Sequence, residues 1–221
     1  MAQSLHSCIV LDRSGSMESC RTDALGAVNS FLRQMKEDKA SDTRVTLIIF
    51  DSDSIDVIRD KVPVGTCAEL KPEEYQPRAS TPLFDAVGRG VSLLDAAALA
   101  GERKSLAIMT DGMENASREY NRETLKRLLD RKQKEEGWLI TYLGADHDAW
   151  DQAAAMGLHA GNVASYSKSK LGSTAQAMFA RQARYMAAPS PVQGAMSGGY
   201  TDEERASIDD DTPATKGKKK H

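Results

Sequence analysis

The chain has 221 residues, of which 40% are hydrophobic and 28% charged, and its formal net charge is −3. This length suits one domain, with or without a short additional segment, and the nearly balanced charge gives no sign of a nucleic-acid-binding surface. No apolar stretch approaches the roughly 18 residues that a membrane-spanning helix needs, and the N-terminus lacks the pattern of a signal peptide. We therefore expect a cytoplasmic protein with no membrane or nucleic-acid partner.

The N-terminal part of the chain carries three strand patterns and one helical pattern. Residues 4–11 predict a buried strand, and residues 21–38 predict a helix because apolar side chains recur there every three or four positions. Residues 44–50 are almost continuously apolar, whereas residues 55–64 alternate between apolar and polar. Since only the short turn 51–54 separates these two segments, we predict an antiparallel hairpin.

The chain from residue 82 to residue 188 alternates regularly between helix and strand patterns. The segments with a helical pattern are 82–100, 121–136, 148–157 and 170–188, and those with a strand pattern are 104–110, 138–144 and 162–166. Strands that are apolar on both faces and alternate with helices are typical of an α/β fold. We predict a doubly wound, mostly parallel sheet with one antiparallel edge strand and helices on both faces.

The last 33 residues differ in composition from the rest of the chain. Residues 189–221 are rich in Pro, Gly, Ser and charged side chains, and they lack periodic apolar positions. Such segments cannot bury enough apolar surface to fold alone. We therefore predict one domain over residues 1–188 and a disordered C-terminal tail over residues 189–221.

Oxygen-bearing side chains stand at three loops of the predicted sheet. Asp12, Ser14 and Ser16 occupy alternate positions directly after the first strand, Asp111 follows the strand 104–110, and Thr81 precedes the helix that begins near residue 82. Ligands of open α/β sheets bind beyond the carboxyl ends of the strands, where we expect these loops to converge. Two carboxylates and three hydroxyls, without histidine or cysteine, form a set of hard ligands that suits Mg²⁺.

The same three segments resemble a known family pattern. The sequences "DRSGS" (12–16), "STPL" (80–83) and "TDG" (110–112) resemble the metal-ion-dependent adhesion site of von Willebrand factor type A domains. The resemblance covers about residues 4–187, and it is to intracellular bacterial or phage members of the family. It includes the order of strands and helices as well as the early antiparallel hairpin.

This resemblance implies both a set of metal ligands and a role. It implies direct metal contact by Ser14, Ser16 and Thr81, and contact by Asp12 and Asp111 either directly or through water. The expected ion is Mg²⁺, with Mn²⁺ or Ca²⁺ as alternatives. The implied function is non-catalytic: a protein-interaction module whose ion accepts a Glu or Asp from a partner protein, in some intracellular members an AAA+ ATPase.

An enzyme is the main alternative. The segment "LIIFDSDS" (47–54) resembles the first motif of haloacid-dehalogenase-type phosphatases, in which Asp51 would attack phosphorus and Asp53 would act as general acid. The same residue types also favour a tight hairpin turn. We prefer the turn because the phosphatase interpretation leaves Asp12 and its neighbouring serines without a role.

Overall fold

Six strands form one sheet in the part of the chain that the computed structural model describes, which is residues 3–97, 99–145, 148–166 and 170–208. The strands are β1 (Gln3–Asp12), β2 (Ser41–Phe50), β3 (Ile55–Pro63), β4 (Arg103–Thr110), β5 (Leu139–Ala145) and β6 (Val163–Tyr166). Each lies within a few residues of a segment that the sequence predicts as a strand.

The sheet has the predicted topology. Its strands follow the spatial order β3-β2-β1-β4-β5-β6. Every neighbouring pair is parallel except β2 and β3, which form the antiparallel hairpin at one edge. From β1 at the centre, β2 and β3 follow on one side, and β4, β5 and β6 follow on the other. The loops after β1 and β4 therefore lie side by side at the carboxyl edge, where ligand sites form in such sheets.

Helices cover both faces of this sheet. The longer ones are α1 (Arg21–Glu37), α2 (Leu83–Ala96), α3 (Arg122–Lys134), α4 (Asp148–Ala155) and α5 (Leu171–Ala187), followed by the short α6 (Pro191–Met196) and α7 (Asp202–Ser207). None of the helices in the described ranges has the length and apolar character that crossing a membrane requires. The predicted α/β class, with helices on both faces of a mostly parallel sheet, is therefore confirmed.

The central strand β1 shows why both faces must be covered. Ile9 and Leu11 point into one apolar cluster, which α1 and α5 also supply. Cys8 and Val10 point into a second cluster, which is completed by α2, α3 and α4. Because successive side chains of a strand point to opposite faces, this apolar run is buried on both sides. The burial holds the carboxyl end of β1, which carries Asp12, in place.

The structure differs from the sequence prediction at residues 189–208, which pack on the domain. Tyr200 and Ile208 are buried in the apolar cluster that contains β1, and the Arg181 guanidinium of α5 donates a hydrogen bond of 2.8 Å to the Gly194 carbonyl oxygen. The prediction of a disordered tail is wrong here because the segment buries apolar side chains in the domain and its backbone binds the buried guanidinium of Arg181. Residues 209–221 of the predicted tail lie outside the described residues.

Candidate metal centre

Asp12 ends β1 and is completely buried. Its Oδ1 accepts a 2.7 Å hydrogen bond from the Ser14 backbone N–H, which turns the chain so that the following serines face the carboxyl edge. Its Oδ2 accepts a 2.5 Å hydrogen bond from the Thr110 hydroxyl at the end of β4. Asp12 therefore connects the two neighbouring strand ends, and its carboxylate is held in one orientation from both sides.

The two serine hydroxyls and the second carboxylate meet next to Asp12. The Oγ atoms of Ser14 and Ser16 lie 3.1 Å apart, and the Ser16 hydroxyl donates a 2.6 Å hydrogen bond to Asp111 Oδ1. Ser14 is buried whereas Ser16 is exposed. The oxygens thus form a group that begins in the protein interior and opens to solvent.

Thr81 belongs to the same group, as the surroundings of Gly112 show. A Cβ atom placed on Gly112 would lie 2.8 Å from Thr81 Oγ1 and 3.3 Å from both Asp12 Oδ2 and Ser16 Oγ. Oxygens from all three loops therefore border one point beside the Gly112 backbone. The structure brings together the five residues that the sequence predicts as ligands, and it adds glycine at position 112 as a requirement for their close approach.

The donor set fits a hard divalent cation. An octahedral ion with bonds near 2.1 Å places neighbouring ligand oxygens about 3.0 Å apart, which is close to the 3.1 Å between the Ser14 and Ser16 hydroxyl oxygens. In the described residues, no group of three or more His, Cys, Asp or Glu side chains is arranged to hold a metal. The fit therefore depends on the hydroxyl oxygens, not on a carboxylate cluster.

Electrostatics at Asp12 also favour a cation. Burial raises the pKa of the Asp12 carboxyl to about 6, against the opposing effect of hydrogen bonds from Thr110 and Ser14. Among the described residues, no lysine, arginine or histidine forms an ion pair with Asp12. A buried carboxylate without a cationic side chain is costly to keep ionised, and a bound divalent ion would lower that cost.

Hydrogen bonds hold the Asp111 loop against the start of α2. Asn115 exchanges two hydrogen bonds with Thr81: Asn115 Oδ1 accepts from the Thr81 N–H at 2.9 Å, and the Asn115 N–H donates to the Thr81 carbonyl at 3.1 Å. Glu114 Oε2 accepts from the Phe84 N–H. Asp85 in turn accepts three backbone N–H groups of residues 118–120. Two of the loops that carry candidate ligands are therefore bound to each other.

A side chain of α4 secures the same loop from the other side. Gln152 accepts a 2.7 Å hydrogen bond from the Glu114 N–H and donates a 3.1 Å hydrogen bond to the Gly112 carbonyl. It also donates to the Tyr142 hydroxyl of β5. Sequence reasoning missed Gln152, because a glutamine in a short helix carries no signal of its target in a distant loop.

The environment of Asp51 does not support the phosphatase alternative. Its Oδ1 accepts the N–H groups of Asp53 and Ser54, and its Oδ2 accepts hydrogen bonds from Arg13 at 2.6 Å and Arg78 at 3.0 Å. Burial would raise the pKa of Asp51, but these hydrogen bonds hold it below its usual value. A fully engaged carboxylate is a poor nucleophile, so "DSDS" forms the hairpin turn that its residue types favour.

Comparisons with known proteins bear on the fold. No protein-family model matches the chain, and no curated protein matches it. Among solved structures, a von Willebrand factor type A protein from Catenulispora acidiphila has a TM-score of 0.60 and 14% identity, and covers 83% of this chain and 44% of that one.

Two further structures are similar over most of this chain. The pilus adhesin SpaC from Lactobacillus rhamnosus GG has a TM-score of 0.65 and 14% identity over 84% of this chain and 31% of that one. The SpRpn10 VWA domain has a TM-score of 0.54 and 14% identity over 80% of this chain and 94% of that one. The chain spans less than half the length of the first two structures. At these identities the likeness concerns the fold, and the chain has the von Willebrand factor A fold.

Proposed function

We propose that this chain is a metal-dependent protein-interaction module. Its metal ligands would be the side chains of Asp12, Ser14, Ser16, Thr81 and Asp111. The observation that carries the proposal is the convergence of their oxygens from three separate loops beside the Gly112 backbone. The expected ion is Mg²⁺, with Mn²⁺ or Ca²⁺ as alternatives that share its preference for oxygen.

The charge of the donor set supports a role in binding a partner. Two carboxylates just balance the two positive charges of the ion, and the three hydroxyls carry no charge. When bound, the ion supplies an electrophilic centre that can accept one more oxygen ligand, such as a Glu or Asp side chain. The chain's own part is to hold Asp12 rigidly through Thr110 and the Ser14 N–H, and to leave Ser16 exposed to an approaching partner.

The wider role follows from resemblance. The similarity of fold to a pilus adhesin supports an interaction role over an enzymatic one, and we propose that the protein has no catalytic activity. The motif resemblance to intracellular members supports a cytoplasmic location and an AAA+ ATPase as one class of partner.

The experiment that tests this function is affinity capture with matched bait variants. The wild-type protein is immobilised as bait and is incubated with an extract of the source organism, once in Mg²⁺ and once in EDTA. We expect a protein that binds in Mg²⁺ and is released by EDTA. The variant Asp111→Ala should not capture it, because one of the two ligand carboxylates is lost.

Asp42→Ala is the control bait. Asp42 is exposed near the start of β2, at the edge of the sheet opposite the candidate site, and it is not a proposed ligand. It should capture the partner as wild type does. Capture that is equal in EDTA, or equal for Asp111→Ala and wild type, would contradict the proposed function.

A further inference from the structure

The hairpin turn 51–54 contacts two segments that carry proposed ligands. One is the "DRSGS" loop, and the other is the segment 78–81. Asp51 Oδ2 accepts a 2.6 Å hydrogen bond from Arg13 Nε and a 3.0 Å hydrogen bond from Arg78 Nε. Arg13 stands between the ligands Asp12 and Ser14 in the sequence, and its own guanidinium turns away from them toward the hairpin. One carboxylate therefore binds arginines from two ligand-bearing segments.

Backbone hydrogen bonds bind the first loop to its neighbours at the same place. The Arg13 N–H donates to the Phe50 carbonyl at 2.7 Å, directly before the turn, and the Arg13 carbonyl accepts from the Arg78 N–H at 2.8 Å. The Gly15 N–H donates to the Ala79 carbonyl at 3.1 Å. The "DRSGS" loop is thus attached on one side to the hairpin and on the other to the segment that leads to Thr81.

The turn also reaches the segment just before Thr81. The Ser52 N–H donates to the Ser80 carbonyl at 2.9 Å, and Ser52 Oγ accepts from the Ser80 N–H at 3.0 Å. Ala79 precedes this pair with φ of 57°, in the left-handed region that non-glycine residues rarely adopt. A strained conformation of this kind persists only where surrounding contacts enforce it, and here the hairpin and the first loop supply them.

The ion pair at the centre of this arrangement is buried. Asp51 is 1% exposed and Arg13 is 7% exposed, and a second donor of Arg13 reaches Asp56 at 2.9 Å and Ser54 Oγ at 2.8 Å. A buried pair of this kind adds little to net stability compared with apolar residues, but it can fix a specific geometry. Since the hydrogen bonds of Arg13 and Asp51 go to the hairpin and to Arg78, we expect their effect on the site to act through the loops.

We propose that Asp51 and Arg13 are positioning residues for the metal site, holding the "DRSGS" loop and the segment 78–81 at the spacing that lets their hydroxyls bind one ion. This inference rests on the proposed function, since it concerns the affinity of that site for the ion. It also gives the "DSDS" turn a role different from the nucleophilic one considered from sequence.

The test compares two substitutions in the Arg13–Asp51 ion pair with two matched substitutions in a second buried ion pair. Asp51→Asn removes the carboxylate charge, and Arg13→Lys keeps the charge but removes the forked hydrogen bonding. The matched pair is Glu102→Gln and Arg44→Lys. Arg44 binds Glu102 through three hydrogen bonds of 2.7–3.0 Å, and the Glu102 side chain is fully buried. This second pair lies at the amino-terminal edge of the sheet, away from the site.

The readout is the affinity for Mg²⁺ alone, measured by calorimetry at a temperature at which circular dichroism shows each variant to be folded. All four variants are expected to lower the melting temperature. Only Asp51→Asn and Arg13→Lys are expected to weaken Mg²⁺ binding, by roughly tenfold or more, as substitutions behind metal ligands do. Glu102→Gln and Arg44→Lys should bind as wild type does.

The possible results separate this inference from the proposed function. Wild-type affinity in Arg13→Lys would overturn the inference even if Asp51→Asn binds weakly, because charge alone would then explain the loss. If Asp51→Asn does not fold, Arg13→Lys decides, and if neither folds, the milder Ser52→Ala decides by the same criterion. An absence of Mg²⁺ binding in wild type would contradict the proposed function, and the inference with it.

Discussion

At the scale of single residues, the candidate site depends on the lack of a side chain at Gly112 as much as on the proposed ligands. The oxygens of Thr81, Asp12 and Ser16 surround the place where any other residue would carry its Cβ. The sequence "TDG" indicates a turn and draws attention to Asp111, but the pattern alone does not show why a glycine follows. The reason becomes visible only when the three loops are placed together.

The first prediction concerns Gly112→Ala. The added methyl group would lie 2.8 Å from Thr81 Oγ1, so the threonine hydroxyl must move out of the ligand group. We expect the variant to fold, because only the end of a side chain has to shift, and to bind Mg²⁺ at least roughly tenfold more weakly, as for other local disturbances of metal sites. Calorimetric titration with Mg²⁺ measures this.

Gly26→Ala is the control for this substitution. Gly26 is exposed within α1, and a Cβ atom there would meet no other atom within 4 Å. It should bind Mg²⁺ as wild type does and gain about 0.5–1 kcal/mol of stability, since alanine is the better helix former. Unchanged Mg²⁺ affinity in Gly112→Ala would show that Thr81 Oγ1 is not a ligand.

At the scale of elements, the C-terminal segment is where sequence and structure diverge most. Its two helices have six residues each, too short for a periodic apolar pattern to be visible. Local signals were present: the Ser190 side chain caps α6, whose first residue is a proline, and Thr201 with Glu204 forms a capping box at α7. These signals locate helix starts, but they do not show that the segment packs on the domain.

The second prediction concerns truncation after Ala188. This removes the Gly194 and Ala195 carbonyls that accept hydrogen bonds from Arg181, which is 1% exposed. It also removes Ile208, which is fully buried in the apolar cluster of the domain, and burying such a side chain contributes about 1.5–3 kcal/mol. We therefore expect the free energy of unfolding, measured with urea, to fall by at least about that amount.

A second truncation is the control. Removing residues 209–221 leaves Tyr200, Ile208 and the Gly194 and Ala195 carbonyls in place, and the free energy of unfolding should stay close to that of wild type. If truncation after Ala188 unfolds at the same urea concentration as wild type, then residues 189–208 do not contribute to the stability of the domain.

At the scale of the whole molecule, the sequence predicts the architecture well because each strand is a long apolar run. A run such as "CIVL" in β1 must be buried on both faces, and the alternation with helices then leaves few topologies. The proximity of the five proposed ligand residues was also predictable, since the loops that carry them all lie at the carboxyl edge of the sheet. The pattern and the topology thus lead to the same five residues.

The side-chain hydrogen bonds that hold the loops of the site in place were not predictable from the sequence. Asp51, Asn115 and Gln152 bind loops that are 27 or more residues away along the chain. Their side chains have no periodicity or spacing that would identify these targets. Such long-range polar contacts depend on the tertiary structure. Through them the hairpin turn and α4 hold the loops of the candidate site.

A calorimetric titration of Mg²⁺ into wild type and into the double variant Asp12→Ala/Asp111→Ala decides whether the two carboxylates hold an ion. A charge-matched control is Asp23→Ala/Asp42→Ala, whose two aspartates are exposed and are not proposed ligands. We expect one Mg²⁺ site per chain in wild type and in the control, and none in the Asp12→Ala/Asp111→Ala variant. Equal Mg²⁺ binding by that variant and by wild type would contradict it.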